Sequence, residues 1–195
     1  MRFNLSEITE LIRHRRSVTP ENFTDRIVHK EQIELILTNA TWAPTHGLTQ
    51  PWRFKVFTGA GLKKLADFLP ELYKAKSTEE SFKQAKYERI QQRPLRTSAI
   101  IMICMERDKT EKIPEIEEIE AVACAVQNMY LTCTAYGLGC FWSSPKFIYS
   151  QEMNEFLGLG EKDKCLGIFY LGYPSAELPK SHRKPLEYVT QWIED

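Results

Sequence analysis

The spacing of hydrophobic positions along the chain predicts a mixture of helices and strands. Six segments are predicted to be helical, and in most of them apolar residues return every three or four positions, a pattern typical of helices that pack on one side. These helical segments are 5–14, 30–42, 62–74, 78–92, 114–135 and 151–157. Alternating or continuous apolar runs predict strands at 53–58, 98–105 and 165–173. Together they predict one α+β domain over residues 1–195, with helices outnumbering a sheet of four or five strands.

Capping signals refine the boundaries of three helices. Ser6 is expected to cap the first helix, and Thr78, followed by two glutamates, to begin the fourth. Pro114 opens the long fifth helix with acidic residues in its first turns, and Gly137 is expected to end it.

The segment 121–135 is apolar on nearly every side, which an ordinary surface helix is not. Such a helix is either the core of its own domain or is covered by a second copy of the chain on one side. In a chain of 195 residues we favour the second arrangement. The alternating stretch 188–192, which contains a Trp, is another candidate for docking on a partner chain.

Composition and charge disfavour several classes of protein. The chain has 26 Lys plus Arg and 26 Asp plus Glu, so it lacks the positive field of a nucleic-acid-binding protein. It shows no apolar secretory signal, and the run 121–131 is too short to span a bilayer. Five cysteines without a CxxC pair fit buried thiols better than disulfides or a zinc site. We therefore expect a cytoplasmic protein with no metal, nucleic-acid or membrane partner.

Two basic clusters are candidates for binding an anion. Arg15, Arg16 and Ser17 follow the first helix, and two guanidiniums with a hydroxyl can hold a phosphate. Arg183, within the basic stretch 182–185, can close on the same anion. The alternatives are a solvated helix end and a solvated tail. A third basic stretch, 83–96, lacks the aromatic interleaving of a nucleic-acid surface and is interpreted as a solvated face.

Two further segments offer polar atoms without charge. The loop 44–51 is stiffened by two prolines, and Thr45, His46 and Gln50 suit the polar edge of a planar ligand. The alternative is a rigid surface turn that leads to Trp52 as a core residue. The segment 137–144 has glycines that permit close approach to a ligand, or simply ends a helix before a strand. No G-x-G-x-x-G motif is present, so a Rossmann site is not expected.

Taken in order, these motifs resemble the nitroreductase family of flavin enzymes. The resemblance runs from Arg-Arg-Ser, through Ala-Pro followed by Gln-Pro-Trp-x-Phe, to Gly-Leu-Gly, Phe-Tyr-Leu-Gly-Tyr-Pro and Arg-Lys-Pro-Leu-Glu. The short chain looks most like a small bacterial branch of NAD(P)H nitroreductases. This resemblance implies an intertwined α+β homodimer with a central antiparallel or mixed sheet and two FMN sites at the subunit interface.

The resemblance also assigns the cofactor-binding residues. Arg15, Ser17 and Arg183 match ligands of the FMN phosphate, and Arg16 lies toward the ribityl chain. A loop reaching the flavin from the other subunit, and a segment along the flavin ring, supply the remaining residues. These are Pro44, Thr45, His46 and Gln50 for the loop, and Trp142, Ser143 and Ser144 for the ring segment.

Two positions depart from the pattern that many family members show. Thr19 stands where a basic residue near the flavin is common, and Leu48 stands where Asn is common. A cation at position 19 would stabilise the anionic reduced flavin, so its absence is expected to affect the reduction potential of the flavin.

The function implied by the resemblance is hydride transfer. FMN takes hydride from NADH or NADPH and passes it to a nitroaromatic, a quinone or a related acceptor in a ping-pong reaction. No catalytic side chain is assigned, because the flavin carries the chemistry. The alternatives are a non-catalytic flavin carrier or sensor, which Thr19 favours, and a specialised member such as a reductive dehalogenase or enone reductase. The region 70–97 is expected to form a lid over the site, and its sequence does not indicate which substrate the site accepts.

Overall fold

The computed structural model describes residues 3–177 and 181–194. Within them the chain forms six α-helices and a four-stranded sheet. The helices are α1 Leu5–His14, α2 Lys30–Ala40, α3 Ala60–Ala75, α4 Gln84–Leu95, α5 Glu115–Ala135 and α6 Gln151–Leu157. The strands are β1 Trp52–Phe57, β2 Ala99–Met105, β3 Gly139–Ser143 and β4 Lys164–Gly172. In this part of the chain, none of the helices combines the length and hydrophobicity needed to cross a bilayer.

The sheet has the order β1-β2-β4-β3, and every neighbouring pair is antiparallel. The α+β class is therefore confirmed, with four strands and no parallel pair in the described sheet. Every residue of β2 is buried, which explains why its sequence is continuously apolar rather than alternating.

The sheet separates two hydrophobic cores. On one face it packs against α2 and α5, where Ile36 and Met129 have no exposed surface. On the other face α3 and α6 contribute Leu65 and Met153, which are also fully buried. Each such side chain stabilises the fold by about 1.5–3 kcal/mol. The two cores fix the positions of α5 and β3, from which most of the candidate site is built.

The first helix differs from its prediction in its cap and in its burial. Asn4, not Ser6, caps α1, because its Oδ1 accepts from the backbone N–H groups of Ser6 and Glu7. No residue of α1 is buried, and Leu5 and Ile12 are 75% and 51% exposed. The apolar face predicted from the sequence is therefore uncovered in a single chain.

The fifth helix agrees with the predicted boundaries but is not buried all round. Pro114 stands at the N-cap position, and Gly137 follows the helix with a φ of 68°. The side toward the sheet, including Val122 and Met129, is buried. The opposite side is apolar and exposed at Ala123 and Cys124. The remaining four cysteines are buried, and all five are free thiols.

The fourth helix begins at Gln84, six residues later than the prediction. Thr78, expected to start it, belongs instead to a separate turn with Ser81. The Thr78 N–H donates to Ser81 Oγ at 2.8 Å, and the Ser81 N–H donates to Thr78 Oγ1 at 3.3 Å. The signal that resembles a helix cap thus closes a turn before the helix.

The sequence predicted that the basic face of α4 is solvated, but one of its arginines is largely buried in an ion pair. Arg93 donates to Glu21 through Nε at 2.8 Å and through Nη2 at 3.4 Å. Its guanidinium also lies 5.4 Å from the centre of the Phe141 ring. Only 17% of the Arg93 side chain is exposed. This ion pair fixes α4 to the turn at 20–22.

Candidate functional site

Arg15, Arg16 and Arg183 line one cavity of about 520 Å³ between the end of α1, α5 and the tail of the chain. The sequence predicted that the two basic clusters could close on one anion, and the fold brings them to the same place. The other residues that line the cavity are Ile12, Arg13, His14, Gln127 and Ser181. None of the described lining residues is acidic, so the cavity has a strongly positive character that suits a phosphate.

Local hydrogen bonds orient two of these guanidiniums. Arg183 Nη1 donates to Ser181 Oγ at 2.7 Å and to the His182 carbonyl at 2.9 Å. Arg16 Nη1 donates to the carbonyls of Arg13 at 2.6 Å and of Arg15 at 2.9 Å. The Arg183 contacts are to a hydroxyl and a backbone carbonyl rather than to a carboxylate, so they leave its positive charge available to an anion.

Tyr130, in α5, connects the arginine cavity with strand β3. Its hydroxyl accepts a hydrogen bond from the Trp142 N–H at 2.8 Å and lies 3.5 Å from Ser17 Oγ. The Arg15 guanidinium lies 5.0 Å from the centre of its ring, a distance that permits a cation–π interaction. Burial is the main reason that the pKa of Tyr130 is raised, so this hydroxyl stays protonated.

Sequence reasoning did not single out Tyr130. A tyrosine inside an otherwise apolar helix is a signal that could have found it, because a buried hydroxyl requires a hydrogen-bond partner.

The Trp142 indole packs closely against strand β4 at Gly167. A Cβ atom at position 167 would stand 1.8 Å from Trp142 Nε1, so only glycine admits the indole there. The Nε1 atom is buried and has no hydrogen-bond partner among the described residues. An unpaired buried donor costs about 1–3 kcal/mol. An acceptor on a bound group would therefore be favourable at this point. Ser143 and Ser144 follow with increasing exposure to solvent.

The loop 44–51 is held by its own side chains and by α5. Thr45 Oγ1 accepts from the Gln50 N–H at 3.2 Å and lies 3.1 Å from Thr49 Oγ1. His46 Nδ1 lies 2.5 Å from Glu117 Oε2 at the start of α5. In this chain the Thr45 hydroxyl therefore stabilises the loop, while His46 pairs with a carboxylate rather than with the loop backbone.

The loop and the arginine cavity lie at different positions along α5. The loop contacts the helix at Glu117, whereas the cavity contacts it at Gln127. Ten residues of α-helix correspond to about 15 Å. Pro44, His46 and Gln50 have exposed side chains. The structure therefore brings together the arginines, Ser17 and Trp142 through Tyr130, but the loop residues are separate from them within one chain.

Comparison with known proteins adds an independent result. Residues 12–173 match the model of the nitroreductase family. A nitroreductase-like family protein from Bacillus cereus is 32% identical, with a TM-score of 0.85 and complete coverage of both chains. A provisionally named NAD(P)H nitroreductase, YdjA of Escherichia coli K12, is 28% identical over 90% of this chain and 93% of that protein. A provisionally named nitroreductase of Desulfovibrio desulfuricans, solved in complex with FMN, is 25% identical with a TM-score of 0.71, and both chains are completely covered.

Proposed function

Because the chain belongs to the nitroreductase family, an oxidoreductase family, we propose that it is an FMN-dependent enzyme. It takes hydride from NADH or NADPH and passes it to a nitroaromatic, a quinone or a related acceptor in a ping-pong reaction. The observation that carries this proposal is the arginine cavity, which Tyr130 connects to Trp142.

The residues present fit the phosphate and the ring of FMN. Arg15 and Arg183 line a cavity in which none of the described lining residues is a carboxylate, and such a positive lining suits a phosphate. Trp142 offers a buried N–H without an acceptor. We assign Arg15, Ser17 and Arg183 to the phosphate and Arg16 to the ribityl chain. Trp142, Ser143 and Ser144 are assigned to the ring.

In the reaction itself the protein binds and orients rather than exchanging protons at an assigned side chain. Bound FMN supplies the group that accepts and returns the hydride. The Tyr130 hydroxyl contacts both Ser17 and the Trp142 backbone. It thereby fixes the residues assigned to the phosphate relative to those assigned to the flavin ring. The guanidiniums of Arg15 and Arg183 neutralise the phosphate, which favours FMN over riboflavin.

We further propose that the working form is a homodimer. The exposed apolar residues of α1, the outer side of α5 and the tail residues Tyr188 and Trp192 are the surfaces that a second copy would cover. In such a dimer Pro44, Thr45, His46 and Gln50 serve the site of the other copy. The free, mostly buried cysteines support a cytoplasmic location.

Anaerobic absorbance spectroscopy of the purified protein tests this function. We expect a yellow protein that NADH or NADPH bleaches and that a quinone or nitroaromatic compound recolours. A yellow protein that resists reduction by both nucleotides would contradict turnover and favour a carrier or sensor, the alternative that Thr19 raises. A colourless protein without affinity for FMN would overturn the proposal entirely.

The phosphate assignment has its own test within the same preparation. Replacing Arg15 with Ala is expected to weaken FMN binding about tenfold, because a charge-assisted hydrogen bond is worth roughly 1.5–3 kcal/mol. Riboflavin, which lacks the phosphate, should lose much less affinity. Equal losses for the two ligands in a fluorescence titration would remove Arg15 from the phosphate site.

A further inference from the structure

A second cavity, of about 490 Å³, lies between the end of α3, the start of α4 and the segment that follows β3. Three lysines line it: Lys76, Lys86 and Lys146. No carboxylate is among its described lining residues. The described lining residues of the two cavities do not overlap, so this cavity is a second positively charged site, separate from the arginine cavity.

Two of the three lysines have no ion-pair partner in the part of the chain that the structure describes. Lys76 donates to Glu152 at 2.6 Å. The half-buried Lys86 places its ammonium group 4.7 Å from the centre of the Tyr73 ring. Lys146 is exposed. The cavity therefore holds an excess of positive charge that no described side chain neutralises.

The walls of this cavity are fixed by packing and hydrogen bonds. Tyr73 is 4% exposed, and its hydroxyl accepts from the Lys83 N–H at 3.0 Å and donates to the Ser81 carbonyl at 3.3 Å. Phe147, 6% exposed, contacts the Tyr73 ring at a centroid distance of 6.0 Å. Ser77 Oγ donates to the Tyr73 carbonyl at 2.7 Å. A ligand would therefore meet a preformed aromatic floor rather than a loop that must first be ordered.

We propose that this cavity binds the phosphate group of a small molecule. Lysine ammonium groups bind phosphate as point charges, and three of them line this cavity. The volume falls within the range of small-molecule sites. The positive end of the α4 helix, which has no acidic residue in its first turn, adds to the attraction for an anion.

The position of the cavity relates it to the proposed reaction. Pro145 and Lys146, which line it, directly follow the candidate flavin residues Ser143 and Ser144. The phosphate has two possible sources: the nicotinamide nucleotide that donates hydride, or a phosphorylated metabolite that does not react. The first source rests on the proposed function, whereas the binding of phosphate does not.

Isothermal titration calorimetry with inorganic pyrophosphate tests the site. Lys86→Ala and Lys146→Ala are each expected to weaken one binding event about tenfold, the loss typical of a hydrogen bond to a charged group. Lys146→Arg, which keeps the charge, should restore most of the affinity. Lys74→Ala is the matched control, because Lys74 is exposed near the end of α3, next to the cavity, and does not line it.

Arg183→Ala removes a residue of the arginine cavity, so a loss of pyrophosphate affinity in this variant identifies binding there rather than in the second cavity. If only this variant lowers pyrophosphate affinity, or if Lys74→Ala lowers it as much as Lys146→Ala, the proposal is overturned. Lys146 is exposed, so its replacement is expected to leave the fold intact, and circular dichroism checks this.

Steady-state kinetics then identifies the source of the phosphate. A KM for NADH or NADPH that rises in Lys146→Ala, with kcat unchanged, assigns the site to the donor nucleotide. An unchanged KM together with lost pyrophosphate binding assigns it to a separate metabolite. The calorimetric experiment measures pyrophosphate binding without any turnover of the flavin. Its result therefore tests the cavity even if the proposed enzyme activity is not found.

Discussion

Tyr130 is the residue on which the connection between the arginine cavity and β3 depends. Tyr130→Phe keeps the ring but removes the acceptor of the Trp142 N–H. Leaving that N–H unpaired should lower the free energy of unfolding by about 1–3 kcal/mol and weaken flavin binding.

Chemical denaturation measures the Tyr130 effect, and Tyr136→Phe provides the matched control. Tyr136 follows the same helix and is 38% exposed, so its hydroxyl is open to water. We expect that variant to stay within about 0.5 kcal/mol of the parent. If the two variants behave alike, the Tyr130 hydroxyl does not hold the site together.

The ion pair between Glu21 and Arg93 makes the stability of the fold depend on pH. Burial acts to raise the pKa of Glu21, but hydrogen bonds from Arg93 and Thr19 outweigh it and lower the pKa from 4.5 to about 2. The folded chain therefore binds this proton less readily than the unfolded chain. The stabilisation is complete above about pH 4.5 and is lost as the pH falls from 4.5 toward 2.

Glu21→Gln should therefore cost about 1–2 kcal/mol at pH 7, allowing for solvent screening of a partly exposed pair. The difference from the parent should disappear near pH 2. Urea unfolding across this pH range measures it. Glu34→Gln breaks an exposed pair with Lys30 and should have little effect at any pH. A cost for Glu21→Gln that does not change with pH would assign the effect to packing.

At the scale of elements, the loop 44–51 carries backbone conformations that its sequence does not favour. Leu48 has a φ of 54° and is 79% exposed. A left-handed conformation costs a residue such as Leu about 1–2 kcal/mol, whereas Asn adopts it more readily. The left-handed conformation therefore has a local cost at Leu48.

Leu48→Asn is therefore expected to raise the free energy of unfolding by about 0.5–1 kcal/mol. Leu48→Ala keeps the Cβ atom and its backbone cost, so it serves as the control and should change little. Thermal unfolding of the three proteins compares them. A loss of stability in both variants would show that the Leu48 side chain is covered by another surface.

The boundaries of the elements show what local sequence can and cannot establish. Strand β2 was predicted within one residue, because a continuous apolar run of this length is typical of a strand that is buried on both faces. The start of α4 was wrong by six residues, because Thr78 and Ser81 can close a turn as well as cap a helix. Local sequence carried both signals, and the packing of α4 decided between them.

For the candidate site, the residue types were predictable but their partners were not. Arg15 and Arg183 were predicted to bind one anion, and the structure places both of them on one cavity. The pairing of His46 with Glu117 and the hydrogen bond from Trp142 to Tyr130 join segments that are distant in sequence. Their geometry follows from the way α5 packs on the sheet, which no single segment encodes.

At the scale of the whole molecule, the uncovered apolar surfaces of α1 and α5 predict association. Sedimentation at low micromolar concentration should give about twice the chain mass of 22.7 kDa. Cys124→Glu places a charge on the exposed side of α5 and should shift the protein toward the monomer. Leu95→Glu, at the end of α4 on the other side of the sheet, is the control. A stable monomer that binds FMN would contradict a shared site.

The separation of about 15 Å along α5 between the loop contact at Glu117 and the cavity contact at Gln127 has a consequence for mutant alleles in the proposed dimer. Each site would take its arginines from one copy and its loop 44–51 from the other. A copy damaged at Arg15 and a copy damaged at His46, paired in one mixed dimer, would concentrate both lesions in one site. The second site would contain neither. Two inactive alleles could therefore complement each other, restoring up to half the activity of the unaltered dimer, which two separate single-chain sites could never do.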